Sequence, residues 1–154
     1  MPPIDLLLRL LLAAGLGAAI GIERELHRKP AGLRTNMLIA LGAALLTIVS
    51  IQLARQGGTP DRIAAQIITG VGFLGAGAIM RNDGSVHGLT TAATIWVNAG
   101  VGMAAGAGEY AIATVATVVT LLVLAVLPPV EAYFDRRSRR PTSGLSAADA
   151  RPRS

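Results

Sequence analysis

The sequence contains no cysteine, and aromatic residues make up only 3% of its 154 residues. The missing thiols exclude disulfides, thiolate metal sites and cysteine nucleophiles. Because so few aromatic rings are available to stack on bases, the net charge of +5 does not indicate a nucleic-acid partner. The chain also has only two histidines and no carboxylate deep in an apolar run. We therefore predict neither an enzyme nor a bound cofactor.

Charged residues are scarce as well, at 15% of the chain against 52% hydrophobic residues, and they fall in short clusters between long apolar runs. Each run is about long enough to cross a hydrocarbon core of roughly 30 Å as a helix. The runs lack the alternation of a barrel strand. We therefore predict an all-α, polytopic transmembrane bundle of about five tightly packed helices. The predicted spans are residues 4–22, 35–54, 62–80, 88–107 and 110–128.

The C-terminal residues 135–154 are polar and rich in arginine and serine, which predicts a disordered basic tail after a transmembrane domain of residues 1–134. The last apolar run is expected to end at Pro128, because a proline pair does not continue a helix. Basic residues concentrate in the first loop, the third loop and the tail. This bias predicts an external N-terminus and a cytoplasmic C-terminus. The tail arginines either set this topology or bind membrane lipid with anionic headgroups.

The third apolar run contains GVGFLGAGAIM, residues 70–80, which begins with the phosphate-binding pattern G-x-G-x-x-G. That pattern requires a preceding strand and an acidic residue about 20 positions later, and neither is present. We interpret the glycines as small faces for close helix packing, with an unwound binding segment as the alternative. We also expect the third helix to be central in the bundle. The small residues expected to pack helices or bind a partner are Gly17, Gly21, Gly72, Gly75, Gly77 and Gly102.

Polar residues at the ends of the runs form a predicted cytoplasmic patch. Glu23 lies where the first helix leaves the membrane and Arg34 where the second enters it, so we expect these two side chains to pair. The segment Asn82-Asp83-Gly84 has the composition of a tight turn on the same side. The whole patch comprises Glu23, Arg24, Arg34, Thr35, Asp83, Thr90 and Thr91.

Two larger side chains lie in the middle of the fourth run. Trp96 is expected to anchor helix packing, and Asn98 to form an interhelical hydrogen bond worth about 1 kcal/mol, or else to contact a partner or an ion. A pathway for Mg²⁺ would need carboxylates within the membrane, because this ion prefers carboxylate and water oxygens. The candidate metal residues are Asp61 and Glu109, both expected at the outer interface.

Three segments occur in a fixed order along the chain: GIERELHRKPAGLRT at residues 21–35, GVGFLGAGAI at residues 70–79 and GLTTAATIWVNAGVG at residues 88–102. Together they resemble the membrane domain of the MgtC/SapB family, and the resemblance covers roughly residues 6–130. It implies a multi-pass protein of the bacterial inner membrane, linked to stress adaptation and to growth under magnesium limitation.

The resemblance also implies a regulatory module that acts by touching another membrane complex. The F-type ATP synthase is the partner proposed for one branch of the family. Some members carry a soluble C-terminal domain, and functions of that domain do not carry over to the residues present here. A homo-oligomer, and an ion transporter or channel subunit, for example for Mg²⁺, stay open as alternatives.

Overall fold

The computed structural model describes residues 1–55, 57, 59, 61–82 and 85–138. These residues form five α-helices and one β-hairpin, which confirms the prediction of an all-α bundle of about five helices. The chain divides into two units, residues 1–122 and residues 123–154, and the second unit contains the C-terminal part of the last helix. The elements are α1 (Pro3–Leu26), α2 (Leu33–Ala54), α3 (Asp61–Gly77), β1 (Met80–Asn82), β2 (Ser85–His87), α4 (Leu89–Ala107) and α5 (Tyr110–Ser138).

Length and composition suit these helices to a membrane. In the described part of the chain, three segments are long and apolar enough to cross a bilayer, namely Pro3–Leu26, Leu33–Ala54 and Tyr110–Val130. Helix α3 is a shorter apolar helix of 17 residues, or about 25 Å at 1.5 Å per residue. Helix α4 has 19 residues and carries the buried polar residues described below.

Helix α2 is the centre of the first unit and contacts α1, α3 and α4. The expectation that the third helix is central is wrong. Helix α3 leaves Phe73 81% exposed, whereas α2 buries Ala40 and Ala44 completely. The physical reason is side-chain size, because the alanines of α2 allow a helix to approach on two sides.

Helix α1 runs antiparallel to α2, with Gly17 near Asn36 and Gly21 near Leu33, and antiparallel to α4, so α2 and α4 are parallel to each other. Contacts at both ends of α1 establish this arrangement: Arg24 reaches Thr91 at the start of α4, and Arg9 reaches Gly106 at its end. We call the end of the unit that contains the β-hairpin the hairpin end. The C-terminus of α1, the N-termini of α2 and α4 and the C-terminus of α3 all lie there.

Helix α3 is continuous through its glycines and ends at Gly77, three residues before the predicted end of the span. The next residues close two i→i+3 hydrogen bonds and pass into a hairpin in which Met80 pairs with His87. Gly88 then starts α4 with a φ of +88°, and a Cβ there would fall on the carbonyl oxygen of Ala78. The sharp return from hairpin to helix therefore requires glycine at this position.

Helix α5 continues through Pro128 and Pro129 to Ser138, so the expected end at the proline pair is wrong. Each proline removes a backbone donor, but its fixed φ near −65° is itself helical. The helix thus includes the first four residues, 135–138, of the tail predicted to be disordered. The tail residues 139–154 lie outside the described part of the chain.

Candidate functional site

The most buried cation in the described residues lies at the hairpin end of α1. Arg24 is only 4% exposed, and its Nη2 donates a hydrogen bond to Thr91 Oγ1 on α4 at 3.4 Å. Its Nη1 lies 3.8 Å from Glu23 Oε2, which gives an ion pair between neighbouring residues. Within the described residues, Arg24 Nε has no hydrogen-bond partner. A buried guanidinium with incomplete pairing is costly, and such groups in membrane proteins commonly mark functional positions.

Glu23 does not pair with Arg34, and that prediction is wrong. Its carboxylate lies 3.1 Å from Nδ1 of His27, one turn later on the same helix. The cause is the length of α1, which extends four residues beyond the predicted end and makes His27 the i+4 neighbour of Glu23. The loop is instead fixed by Glu25, whose Oε2 accepts the backbone N–H of Leu33 at 3.2 Å.

A second polar contact joins α2 to α4. Asn98 Nδ2 donates to the backbone oxygen of Asn36 at 2.7 Å and to Asn36 Oδ1 at 3.1 Å, and both side chains are fully buried. Asn36 Nδ2 in turn donates to the carbonyls of Ala31 and Gly32, which end the loop before α2. The interhelical hydrogen bond predicted for Asn98 is therefore present. Asn36 was missed, although an Asn in an uncharged apolar run is itself a signal of such a contact.

We refer to Glu23, Arg24, Thr91, Asn36 and Asn98 as the polar cluster. It connects α1, α2 and α4 at the hairpin end. In the described part of the chain, three buried atoms of the cluster have no hydrogen-bond partner: the donor Arg24 Nε and the acceptors Glu23 Oε2 and Asn98 Oδ1. Because hydrocarbon offers no alternative partners, a cluster of this kind holds the three helices in one register.

The predicted cytoplasmic patch is only partly brought together. Glu23, Arg24 and Thr91 meet in the polar cluster, whereas Thr90 is exposed on α4. Arg34 and Thr35 are exposed at the start of α2 and face a groove instead. Asp83 lies outside the described residues.

The glycines separate into two groups. A Cβ at Gly17 would lie 2.6 Å from the Asn36 carbonyl oxygen, and one at Gly21 would lie 2.7 Å from Leu33 Cα, so α1 packs directly on the backbone of α2. On α4, Gly102 and Gly106 press in the same way on Ala40 and Ala44. These contacts use the i, i+4 spacing seen in the sequence.

The other group lies on α3. A Cβ at Gly72 or Gly77 would meet nothing within 4 Å, and one at Gly75 would make only an ordinary 3.4 Å contact with Ala92 on α4. Nor does Trp96 anchor the core, because it is 54% exposed on the outer face of α4. Gly72, Gly77 and Trp96 therefore do not have the predicted packing roles within the described part of the chain.

An open groove of about 800 Å³ runs between α2 and α3. Most of its lining is apolar or glycine, including Gly42 and Gly70, and Arg34 with Thr35 stands at its hairpin end. Gln66 is the remaining polar residue of the lining. We call this feature the α2–α3 groove.

The opposite end of the unit holds a second ion pair. Asp5 and Arg9, which are one helical turn apart, form an ion pair at 3.2 Å, and Arg9 Nη1 also donates to the carbonyl of Gly106 at 2.8 Å. The hydroxyl of Tyr110 donates to Asp5 Oδ1 at 3.3 Å, a contact that the sequence did not indicate. These bonds tie the start of α1 to the turn between α4 and α5.

Only one of the two candidate metal residues has a described side chain. Glu109 is exposed, and the side chain of Asp61 lies outside the described part of the chain. Among the described residues, no three His, Cys, Asp or Glu side chains are grouped to hold a metal ion.

Comparisons with known proteins agree with this architecture. The chain matches the model of the MgtC family over residues 10–133. It is 49% identical to a protein of Escherichia coli named "Putative magnesium transporter YhiD", over 79% of this chain and 60% of that protein. It is 51% identical to "Protein MgtC" of Salmonella typhimurium, over 68% of this chain and 44% of that protein. A Haemophilus influenzae protein named "Uncharacterized protein" is 47% identical over 86% of this chain and 59% of its own length.

No solved structure matches the chain. The apolar helices and the relatives together define a multi-pass helical membrane protein. The chain belongs to the MgtC family, as the family match across most of its length shows. It spans about 60% or less of the length of these relatives.

Proposed function

We propose that this protein is a regulatory module of the bacterial inner membrane that binds another membrane complex helix to helix. The supporting observation is a row of small residues on the outside of α3. Ala65, Thr69, Gly72 and Ala76 follow one another at helical spacing, and all four are exposed. We call this row the α3 small face. No described helix of the chain covers Gly72.

Energetics favour a partner for this face. A glycine inside a helix costs about 1 kcal/mol relative to alanine. In α1 and α4 that cost is offset by backbone contact with α2, but Gly72 makes no such contact. Lipid tails gain nothing from a small residue, whereas a second helix gains close approach and dispersion contacts.

The link to low magnesium comes from the relatives and remains part of the proposal. One relative is named a putative magnesium transporter, which keeps transport as the second candidate function. Against transport, the polar cluster contains the cation Arg24, and carboxylates are not gathered among the described residues. The carboxylate of Glu23 in this cluster lies beside Arg24, so the two charges offset each other and the cluster presents no net negative charge to Mg²⁺.

The orientation is proposed from charge. Residues 27–35 contain Arg28, Lys29 and Arg34 and no carboxylate. This loop lies at the hairpin end, which we therefore assign to the cytoplasm, with the N-terminus outside. The F-type ATP synthase is the first partner to test, and self-association is the alternative.

The experiment is a crosslinked pull-down of the tagged protein from native membranes of magnesium-starved cells, analysed by mass spectrometry. Gly72→Leu fits the free chain, because nothing lies within 4 Å of its Cβ position. Gly15→Leu is the matched control, since Gly15 is equally open and lies on α1. We expect a specific membrane complex that is lost in Gly72→Leu and retained in Gly15→Leu. An unchanged set of partners in both variants would refute the proposal.

Transport is tested separately in sealed vesicles that contain the purified protein. Recovery of the protein alone in the pull-down, together with protein-dependent Mg²⁺ uptake, would favour the second candidate. Glu109→Gln should then lower the uptake if the exposed carboxylate near the end of α4 gathers the ion. The regulatory proposal expects no uptake above empty vesicles.

A further inference from the structure

We propose that the α2–α3 groove binds one anionic phospholipid, with the phosphate at Arg34 and an acyl chain along the groove. The groove is open along the surfaces of two helices and has a volume of about 800 Å³. That volume falls within the usual range of small-molecule sites, roughly 300–1,000 Å³. Its lining is arranged like a lipid binding site, with a cation at one end for the headgroup and mostly apolar side chains along the remainder.

The length of the groove matches one acyl chain of a lipid. Along α2 the lining runs from Arg34 to Leu46, twelve residues and therefore about 18 Å. On α3 it runs from Ile63 to Leu74, which is about 17 Å. A single leaflet contributes about half of the roughly 30 Å hydrocarbon core. The groove thus has the depth of one leaflet, which is the length that a single acyl chain occupies.

The charge at the hairpin end selects an anionic headgroup. Arg34 is exposed and forms no ion pair within the described residues, so its guanidinium is available to a phosphate. Arg28 and Lys29 in the preceding loop add two positive charges, against the one carboxylate of Glu25 that accepts the Leu33 N–H there. Thr35 adds a hydroxyl to the same end of the lining. A guanidinium and a hydroxyl are suitable donors for phosphate oxygens.

Two open glycines make room for the chain. Nothing lies within 4 Å of a Cβ built on Gly42 or on Gly70, although both line the groove. Gly70 and Gly72 are two residues apart on a helix, so they point about 200° away from each other. The groove and the α3 small face are therefore on different sides of α3, and this inference does not depend on the proposed function.

The first experiment measures lipid retention by native mass spectrometry of the purified full chain in detergent. The probes are phosphatidylglycerol and phosphatidylcholine with identical acyl chains. We expect one phosphatidylglycerol to be retained about fivefold better than phosphatidylcholine, since a basic residue near an anionic headgroup contributes about that factor. Arg34→Gln should remove the preference. Arg55→Gln, an exposed arginine at the other end of the same helix, should preserve it.

The acyl-chain position is tested with Gly42→Leu, which should lower retention of both lipids at least fivefold by filling the groove. Gly15→Leu is the control and should leave retention unchanged, because it adds the same side chain outside the groove. Thermal unfolding checks that both variants are folded, and Gly70→Ala provides a milder blocking variant. Equal retention of the two lipids by the wild type, or unchanged retention in Gly42→Leu and Gly70→Ala, would overturn the inference.

A photocrosslinking amino acid at Leu38 identifies the occupant in native membranes. Leu38 lines the groove and is 66% exposed. A covalent adduct with the mass of an anionic phospholipid supports the inference. An adduct with a protein in place of the lipid would overturn it and assign the groove to a protein helix.

Discussion

Adding one methyl group at Gly102 or at Gly100 should change the stability of the protein in opposite directions. Both glycines lie in the middle of α4 and are two residues apart. At Gly102 the added Cβ would fall on the carbonyl oxygen of Ala40 and lie 2.8 Å from its Cα, against 3.4–4 Å for ordinary contact. At Gly100 nothing lies within 4 Å. Because both variants replace glycine by alanine in the same helix, the difference between them reports the α2–α4 contact.

The expected magnitudes follow from three terms. Replacing glycine by alanine inside a helix stabilises it by about 1 kcal/mol, and this gain is common to both variants. Overpacking at Gly102 costs about 2 kcal/mol, because α2 and α4 must separate along their length. The Asn98–Asn36 hydrogen bond lies one turn away and loses a further 0.6 kcal/mol or so when stretched.

The two variants should thus differ by about 2–3 kcal/mol in the free energy of unfolding, with Gly102→Ala less stable than the wild type and Gly100→Ala more stable. The assay is reversible unfolding by SDS in mixed micelles, followed by far-ultraviolet circular dichroism. Shifts of equal sign and size in the two variants would refute direct backbone contact at Gly102. Gly106, which meets Ala44 in the same way, provides an independent repeat.

Three further substitutions test other contacts. Asn98→Ala should lower the free energy of unfolding by about 0.6–2 kcal/mol in the same assay, because it removes the hydrogen bond to Asn36. The control Thr90→Ala changes an exposed residue and should have no effect, and equal effects of the two variants would argue against the polar cluster. Arg9→Gln should lower the free energy of unfolding by about 1–3 kcal/mol, because it removes a charged donor to the last turn of α4. The control Arg62→Gln changes an exposed arginine and should have little effect, and an Arg9→Gln variant as stable as the wild type would contradict the Arg9–Gly106 bond. Phe73→Ala should change the free energy of unfolding by no more than about 0.5 kcal/mol, since the ring is 81% exposed. The same variant should capture less of the partner in the pull-down, and normal capture would exclude the ring from the interface.

Close helix contacts were predictable where residue size alone decides them. The spacing of Gly17 with Gly21 in α1 indicated a small face, and the structure places both against the backbone of α2. Asn98 was predictable for a related reason, because an amide in the middle of an apolar run needs a hydrogen-bond partner. Local sequence therefore identified which faces approach another helix or backbone group.

The partner of each face was not predictable in the same way. Gly72 has the same local pattern as Gly102, yet one faces open space and the other faces Ala40. The Glu23–Arg34 prediction failed because a shift of one turn in the end of α1 gave Glu23 a nearer partner in His27. Such choices depend on helix ends and on tertiary packing, which a single sequence does not specify.

The distribution of contacts gives the helices different roles. Helices α1, α2 and α4 share backbone contacts and the polar cluster, so a small separation between them would break several interactions at once. Helix α3 contributes fewer close contacts and has the α2–α3 groove on one side and the α3 small face on another. A lipid in the groove and a protein on the small face would then bind the same helix without competing. Gly42→Leu should remove the lipid and spare partner capture, whereas Gly72→Leu should do the reverse, and loss of both in either variant would show that the two surfaces are one site.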